Sequence, residues 1–130
     1  MTRWHLALAS LPGLYVICRL PSGAAIPVWA GAGPFLSVTS TRDELSIVCS
    51  QDGVPEGVQA DRGWRCLQVE GPFDLEGAIG VLAALSAPLA EAGLGIFVVS
   101  TYDTDYLLVK EAQFGRAAEA LAHAGHTVRV

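Results

Sequence analysis

The chain has 130 residues, of which 52% are apolar and 16% charged, with a formal net charge of −5. That length suits one compact domain or two very small ones sharing a core, and that balance excludes a disordered chain. The negative charge, with eight Lys and Arg scattered rather than striped, argues against a nucleic-acid partner. Charge is sparse for the surface of a small monomer, so further apolar burial in a homodimer is expected. Cys18, Cys49 and Cys66 sit singly in apolar runs, without a CxxC, and read as free thiols in a reducing cytoplasm. The longest uncharged run, Leu20 to Thr41, is broken by Pro21, Pro27 and Pro34 and excludes a membrane helix. Arg3 precedes LALAS, but the apolar stretch stops at Ser10-Leu11-Pro12-Gly13, so a signal peptide is not expected and the protein should stay in the cytoplasm.

In chain order, Trp4 to Ala9 reads as a short strand, and Pro12-Gly13 as a turn. Leu14 to Leu20 is a strand, apolar apart from Arg19, of the kind covered on both faces. Pro27 and Gly31 bracket a segment with room for one helical turn at most. Phe35 to Ser40 and Leu45 to Ser50 form a hairpin about Thr41-Arg42-Asp43-Glu44, and Gln51 to Gly63 is a polar link. Trp64 to Glu70 is a strand that Gly71-Pro72-Phe73 breaks. Asp74 is placed to N-cap a helix running to about Ala92, with Leu75, Ile79, Leu82, Leu85 and Leu89 as its apolar stripe and Gly93 as its stop. Leu94 to Lys110 is a hairpin with the polar tip Ser100-Thr101-Tyr102-Asp103-Thr104-Asp105. Glu111 to Ala124 is an amphipathic helix with Phe114, Ala117, Leu121 and Ala124 inward, Gly125 ends it, and Thr127 to Val130 can close the sheet.

The second half thus reads β-α-β-β-α-β, the order of a ferredoxin-like α+β fold, with an antiparallel sheet and both helices on one face. A repeat supports a similar first half. Ser37–Val48 aligns with Val98–Val109 at a shift of 61 residues, which sets Glu44 on Asp105.

A βαββαβ unit with a Gly-Pro break before its first helix and the hairpin STYDTDYLLVKE resembles the ACT-domain family. Its nearest branch comprises small tandem ACT-like bacterial proteins related to the eukaryotic cytosolic arginine sensors. The shared stretches are PFLSVTSTRDELSIVC and GWRCLQVEGPFDLEGAIGVLAALSAPLAEAGLGIFVVSTYDTDYLLVKE. The resemblance implies two tandem ACT-like halves, residues 1–60 with a reduced helix and residues 61–130 as the fuller ACT domain. It implies a regulatory, non-enzymatic module that holds a small ligand, most often an amino acid, at an ACT–ACT interface. Carried over, the ligand residues are Glu70, Gly71, Pro72, Phe73 and Asp74 at the break; Thr101, Tyr102, Thr104 and Asp105 at the hairpin; and Gly95 with Ile96 from a neighbouring unit. One pair of halves, where the sensors have two, implies a homodimer.

The chemistry of these residues agrees with that reading. An amino acid's carboxylate wants backbone N–H groups, which a helix start or glycine-exposed backbone supplies. Its ammonium wants a carboxylate such as Asp105, Asp74 or Glu70. The cluster favours a neutral or basic amino acid over an acidic one. Each residue also has a plainer role. Asp103 and Asp105 can cap a turn, Asp74 an N-terminus; Glu70 can be solvated; Tyr102 can pack; Phe73 can staple a helix. Asp105 is the expected site residue, and Asp103 the expected turn residue. No motif asks for a cofactor or metal: GxGxxG, Walker A, HExxH and GxSxG are absent, and His123 with His126 reads as helix-end charge. The alternatives are a ligand-free dimerisation or protein-interaction module and, behind it, a small enzyme.

Overall fold

The computed structural model describes residues 4–31 and 33–130. The chain divides into two compact units, one of Pro12–Trp64 and one that joins the start of the chain, up to Leu11, with Arg65–Val130.

In the first unit, β2 (Tyr15–Leu20) pairs antiparallel with β4 (Leu45–Ser50), which pairs antiparallel with β3 (Leu36–Ser40). The segment between Pro27 and Gly31 makes a single 3-10 turn, Val28–Gly31, closed by the Ala30 N–H on the Pro27 carbonyl. Val16, Cys18, Ala30, Leu45, Ile47 and Cys49 form its core. The strand expected from Trp64 begins earlier, as β5 (Ala60–Val69). Asp61-Arg62-Gly63 looks like a turn by composition, but it is a bulge. The pairing shifts between Tyr15↔Trp64 and Ile17↔Asp61, and Gly63 takes a φ of 84° there while its N–H is held by the Gln51 amide oxygen.

The second unit has the elements of a ferredoxin-like α+β fold. β5 is followed by α1 (Val81–Glu91), β6 (Phe97–Ser100), β7 (Asp105–Lys110), α2 (Phe114–His123) and β8 (Thr127–Arg129). β7 pairs with both β5 and β6. The chain's first strand, β1 (Ala7–Ser10), lies between β5 and β8, antiparallel to the former and parallel to the latter. Leu8, Leu67, Val69, Leu107 and Val109 supply the sheet's share of the core, and Val81, Leu85, Leu89, Ala117 and Leu121 the helices' share. Each fully buried leucine among them contributes roughly 1.5–3 kcal/mol. Both helices stop on a glycine in the left-handed region, Gly93 at φ 77° and Gly125 at φ 98°. The paired bonds Leu94 N–H to Leu89 C=O with Gly93 N–H to Ala90 C=O, and His126 N–H to Leu121 C=O with Gly125 N–H to Ala122 C=O, close the two ends alike.

The helix expected from Asp74 starts instead at Val81, after Gly80 at φ 83°. Gly77 and Gly80 weaken helical propensity in this stretch, and the left-handed Gly80 interrupts it. Leu75, Ile79 and Leu82 accordingly leave the expected stripe and are exposed.

His126 is buried and bonded on both ring nitrogens, rather than serving as a charge at a helix end. Pro88 lies inside α1 and has no N–H, so the carbonyl four residues before it, that of Ala84, lacks its helical donor. His126 Nε2 lies 2.9 Å from that carbonyl, and Nδ1 accepts the Leu6 N–H at 3.1 Å. The second bond fixes the tautomer, so Nε2 carries the proton and donates. His126→Ala strands both backbone groups and should cost about 3 kcal/mol in chemical denaturation. In a Pro88→Ala background, where Ala84 regains a helical donor, that cost should shrink by about 1 kcal/mol.

Burial pushes the Cys66 thiol up to about 12. Burial, with the neighbouring Cys18 thiol, pushes Cys49 up to about 11. An unfolded thiol loses its proton near about pH 8.5, where the folded ones still hold theirs. Their contribution is therefore whole below that pH and is lost as pH rises toward the folded values. Urea stability should fall between about pH 9 and 11, and Cys66→Ala should make that fall shallower.

Candidate functional site

Two neighbouring segments of the second unit face one another across a cleft of about 400 Å³, lined by Phe73–Leu75, Ala78, Gly80–Ala83 and Ser100–Asp105. Two contacts set their spacing. The Phe73 N–H donates to the Asp103 carbonyl at 2.8 Å, and the buried Thr104 hydroxyl donates to the Val69 carbonyl at 2.6 Å. The hairpin tip is closed by Thr101, whose N–H reaches the Thr104 carbonyl at 2.8 Å. The Thr101 hydroxyl donates to the same carbonyl and accepts the Thr104 N–H. Asp105 faces Ser100 across the ladder, and its carboxylate accepts the Ser100 hydroxyl at 2.5 Å.

The other hairpin shows which of these residues the turn itself needs. Thr41 N–H reaches the Glu44 carbonyl at 2.9 Å, and Ser40 faces Leu45 as Ser100 faces Asp105. The two turns therefore correspond at a shift of 60 residues, one less than the alignment by acid content suggested. Asp43 and Asp103 occupy the same position, whereas Asp105 stands where the first hairpin has the buried Leu45. A turn of this kind forms without an acid at Asp105's position.

Of the residues expected to bind ligand, Phe73, Asp74, Thr101, Tyr102, Thr104 and Asp105 come together around the cleft. Thr104 has its hydroxyl engaged by Val69, and Tyr102 is 80% exposed. Glu70, Gly71, Pro72, Gly95 and Ile96 lie outside the lining. Glu70 forms an exposed ion pair with Arg129, of a kind that contributes little. A Cβ on Gly71 would come within 3.1 Å of the Asp103 carbonyl, so this glycine permits the close approach of break and hairpin. Gly95 is exposed, and Ile96 packs against the core. At the helix start expected after Asp74, the Gly77 and Ala78 N–H groups are not open to a ligand: both bond the Asp74 carbonyl. The first turn of α1 (Val81, Leu82, Ala83) lines the cleft instead, and Gly80 gives it no side-chain cap. That wall follows from the true start of the helix, which the run of leucines in the sequence obscures.

The cleft combines an apolar floor, a helix N-terminus on one wall and the carboxylates of Asp74, Asp103 and Asp105, with no basic side chain among the described lining residues. Among the described residues no group of three His, Cys, Asp or Glu is placed to hold a metal ion, and no helix is long and apolar enough to cross a membrane.

The ACT-domain family model matches residues 59–123, and a second model, of an N-terminal domain, matches residues 13–57. The bovine (Bos taurus) cytosolic arginine sensor for mTORC1 subunit 1 is 28% identical over 98 residues, 68% of this chain and 30% of that protein. The human (Homo sapiens) putative protein CASTOR3P is 32% identical over 87 residues, 58% of this chain and 53% of that protein. The chain thus spans between about a third and a half of the curated relatives it matches. Among solved structures, the Agobacterium tumefaciens protein Atu0741 aligns with a TM-score of 0.90 and 45% identity over 96% of this chain and 92% of that one. The aspartate kinase of Clostridium acetobutylicum shares the fold, with a TM-score of 0.67 at 10% identity over 93% of this chain and 35% of that one. With half its length matched by that model and a close structural relative along nearly all of it, the chain belongs to the ACT-domain family.

Proposed function

We propose that the protein is a non-enzymatic regulatory module that binds an amino acid in the cleft between the Phe73–Ala83 segment and the Ser100–Asp105 hairpin. The observation that carries this reading is Asp105: a carboxylate on a cleft wall, at a position where the matching hairpin has a buried leucine and its turn closes all the same. A carboxylate on a cleft wall with no basic side chain beside it offers a charge-assisted hydrogen bond to an ammonium or guanidinium group. The first turn of α1, on the facing wall, suits the ligand's carboxylate. One ligand with both charges spans the two walls, and Tyr102 and Phe73 would flank its stem. The arginine-sensing relatives make L-arginine the first amino acid to try.

In this reading two tandem ACT-like halves form each chain, and the working state is a homodimer in which Gly95 and Ile96 of a neighbouring copy complete the pocket. Ligand then signals by favouring one arrangement of the interface over another. The protonated, buried thiols suit a cytoplasmic home.

A thermal-shift screen of the twenty amino acids tests the proposal. A ligand at 100 times its Kd should stabilise the protein by about 2.7 kcal/mol, read as a rise in Tm of several degrees. If no amino acid moves Tm, the ligand reading fails and a ligand-free interaction module takes its place. Asp105→Ala should abolish the shift with little change in the free protein's Tm. Thr104→Val should do the converse on stability, lowering it by about 1–2 kcal/mol through the stranded Val69 carbonyl.

A further inference from the structure

The loop from Asp74 to Gly80 makes one wall of the cleft, yet its two large apolar side chains do not anchor it, and only the small Ala78 packs against the core. Leu75 is 64% exposed and Ile79 78% exposed. Inside the loop, the Gly77 and Ala78 N–H groups bond the Asp74 carbonyl, and just before it Phe73 is bonded to Asp103. Its far end is tied from another part of the chain. The Trp4 indole Nε1–H donates to the Ile79 carbonyl at 2.9 Å. The same indole meets the Phe73 ring edge-on, with centroids 5.9 Å apart and planes at 83°. It also lies under Gly80, where an added Cβ would stand 3.8 Å from Nε1. One side chain therefore touches the loop where it begins and where it ends. Gly80 is also the left-handed residue from which α1 starts, without a side-chain cap.

We propose that Trp4 is a latch, a positioning residue that holds the 74–80 loop against the body of the unit and so sets the width of the cleft and access to it. Trp4 stands just ahead of β1, and the bonds flanking that strand, Thr127 N–H to Leu6 C=O and Glu70 N–H to Ala7 C=O, keep the indole's backbone in place. The loop has no comparable ladder. It opens when the indole lets go, while the sheet beneath it stays closed. The regulatory meaning of the latch rests on the cleft being the ligand site; the latch itself does not.

Two variants of the full chain, with no amino acid added, test it by backbone hydrogen exchange. Trp4→Phe keeps an aromatic edge for Phe73 and removes the N–H donor, while Trp4→Ala removes both. The hydrogen-bonded Gly77 and Ala78 amides should exchange about tenfold faster in Trp4→Phe, and faster again in Trp4→Ala, with the β5 and β7 amides unchanged. Unchanged loop exchange in both variants would overturn the latch. So would a uniform acceleration through β1, β5 and β8, which would make Trp4 an ordinary packing residue. A second readout uses L-arginine as probe: its dissociation from Trp4→Phe should be about tenfold faster than from wild type, and an unchanged rate would refute control of the cleft. If wild type does not bind L-arginine at all, the choice of ligand falls, and the exchange rates still decide the latch.

Discussion

The C-terminal unit depends on one imidazole. Pro88 removes a donor from the middle of α1, and the orphaned Ala84 carbonyl is met by His126, which follows directly on the glycine that ends α2. The other ring nitrogen takes the Leu6 N–H and so fixes where the chain's first strand enters the sheet. A helix, a helix end and a strand from the other end of the chain meet on a single side chain. The bond to Ala84 replaces one that the helix would have made, and with both nitrogens engaged the buried ring has no freedom to flip. From Leu6 the order passes outward, to β1, then to Trp4 and the loop beside the cleft.

The cleft itself is built on backbone more than on side chains. Phe73 N–H to Asp103 C=O and Thr104 Oγ–H to Val69 C=O hold break and hairpin together, and neither uses a charged group. The carboxylates are thereby spared from structural duty in holding the two segments together. Asp105 accepts a serine hydroxyl, and among the described residues no cation is paired with it as Arg129 is with Glu70. A site assembled this way can present charge without spending it on the fold.

Most strands and both helices are legible in the sequence because their apolar periodicity reports burial directly. The hairpin at Ser100–Asp105 is legible because hydroxyls and acids bounded by β-branched residues leave few alternatives. Three features are not. Leu75, Ile79 and Leu82 keep helical spacing with Leu85 and Leu89, and nothing in that spacing says that Gly80 turns left-handed and ends the register. Asp61-Arg62-Gly63 has the composition of a turn, but a bulge needs the same glycine conformation, so composition cannot separate them. His126 is invisible as a structural residue until the Ala84 carbonyl and Leu6 are known to lie beside it, because its role is set by contacts 42 and 120 residues away in the chain. The site is half legible for the same reason. Phe73, Asp74 and the hairpin residues are local signals, whereas the wall formed by Val81, Leu82 and Ala83 follows from where the helix truly begins.

The seat of β1 has a consequence for the order of assembly. Leu8 pairs with Val69 on one side and with Val128 on the other, so a strand made early waits for partners made much later. During synthesis β1 has no partner until β5 emerges, and its second edge stays open until β8 does. Long loops must close before those contacts form, which places the completion of this sheet late and makes it slow relative to the local hairpin of β3 and β4. Until then an apolar strand is exposed to whatever edge it meets first, and a second chain at the same stage offers the same β5.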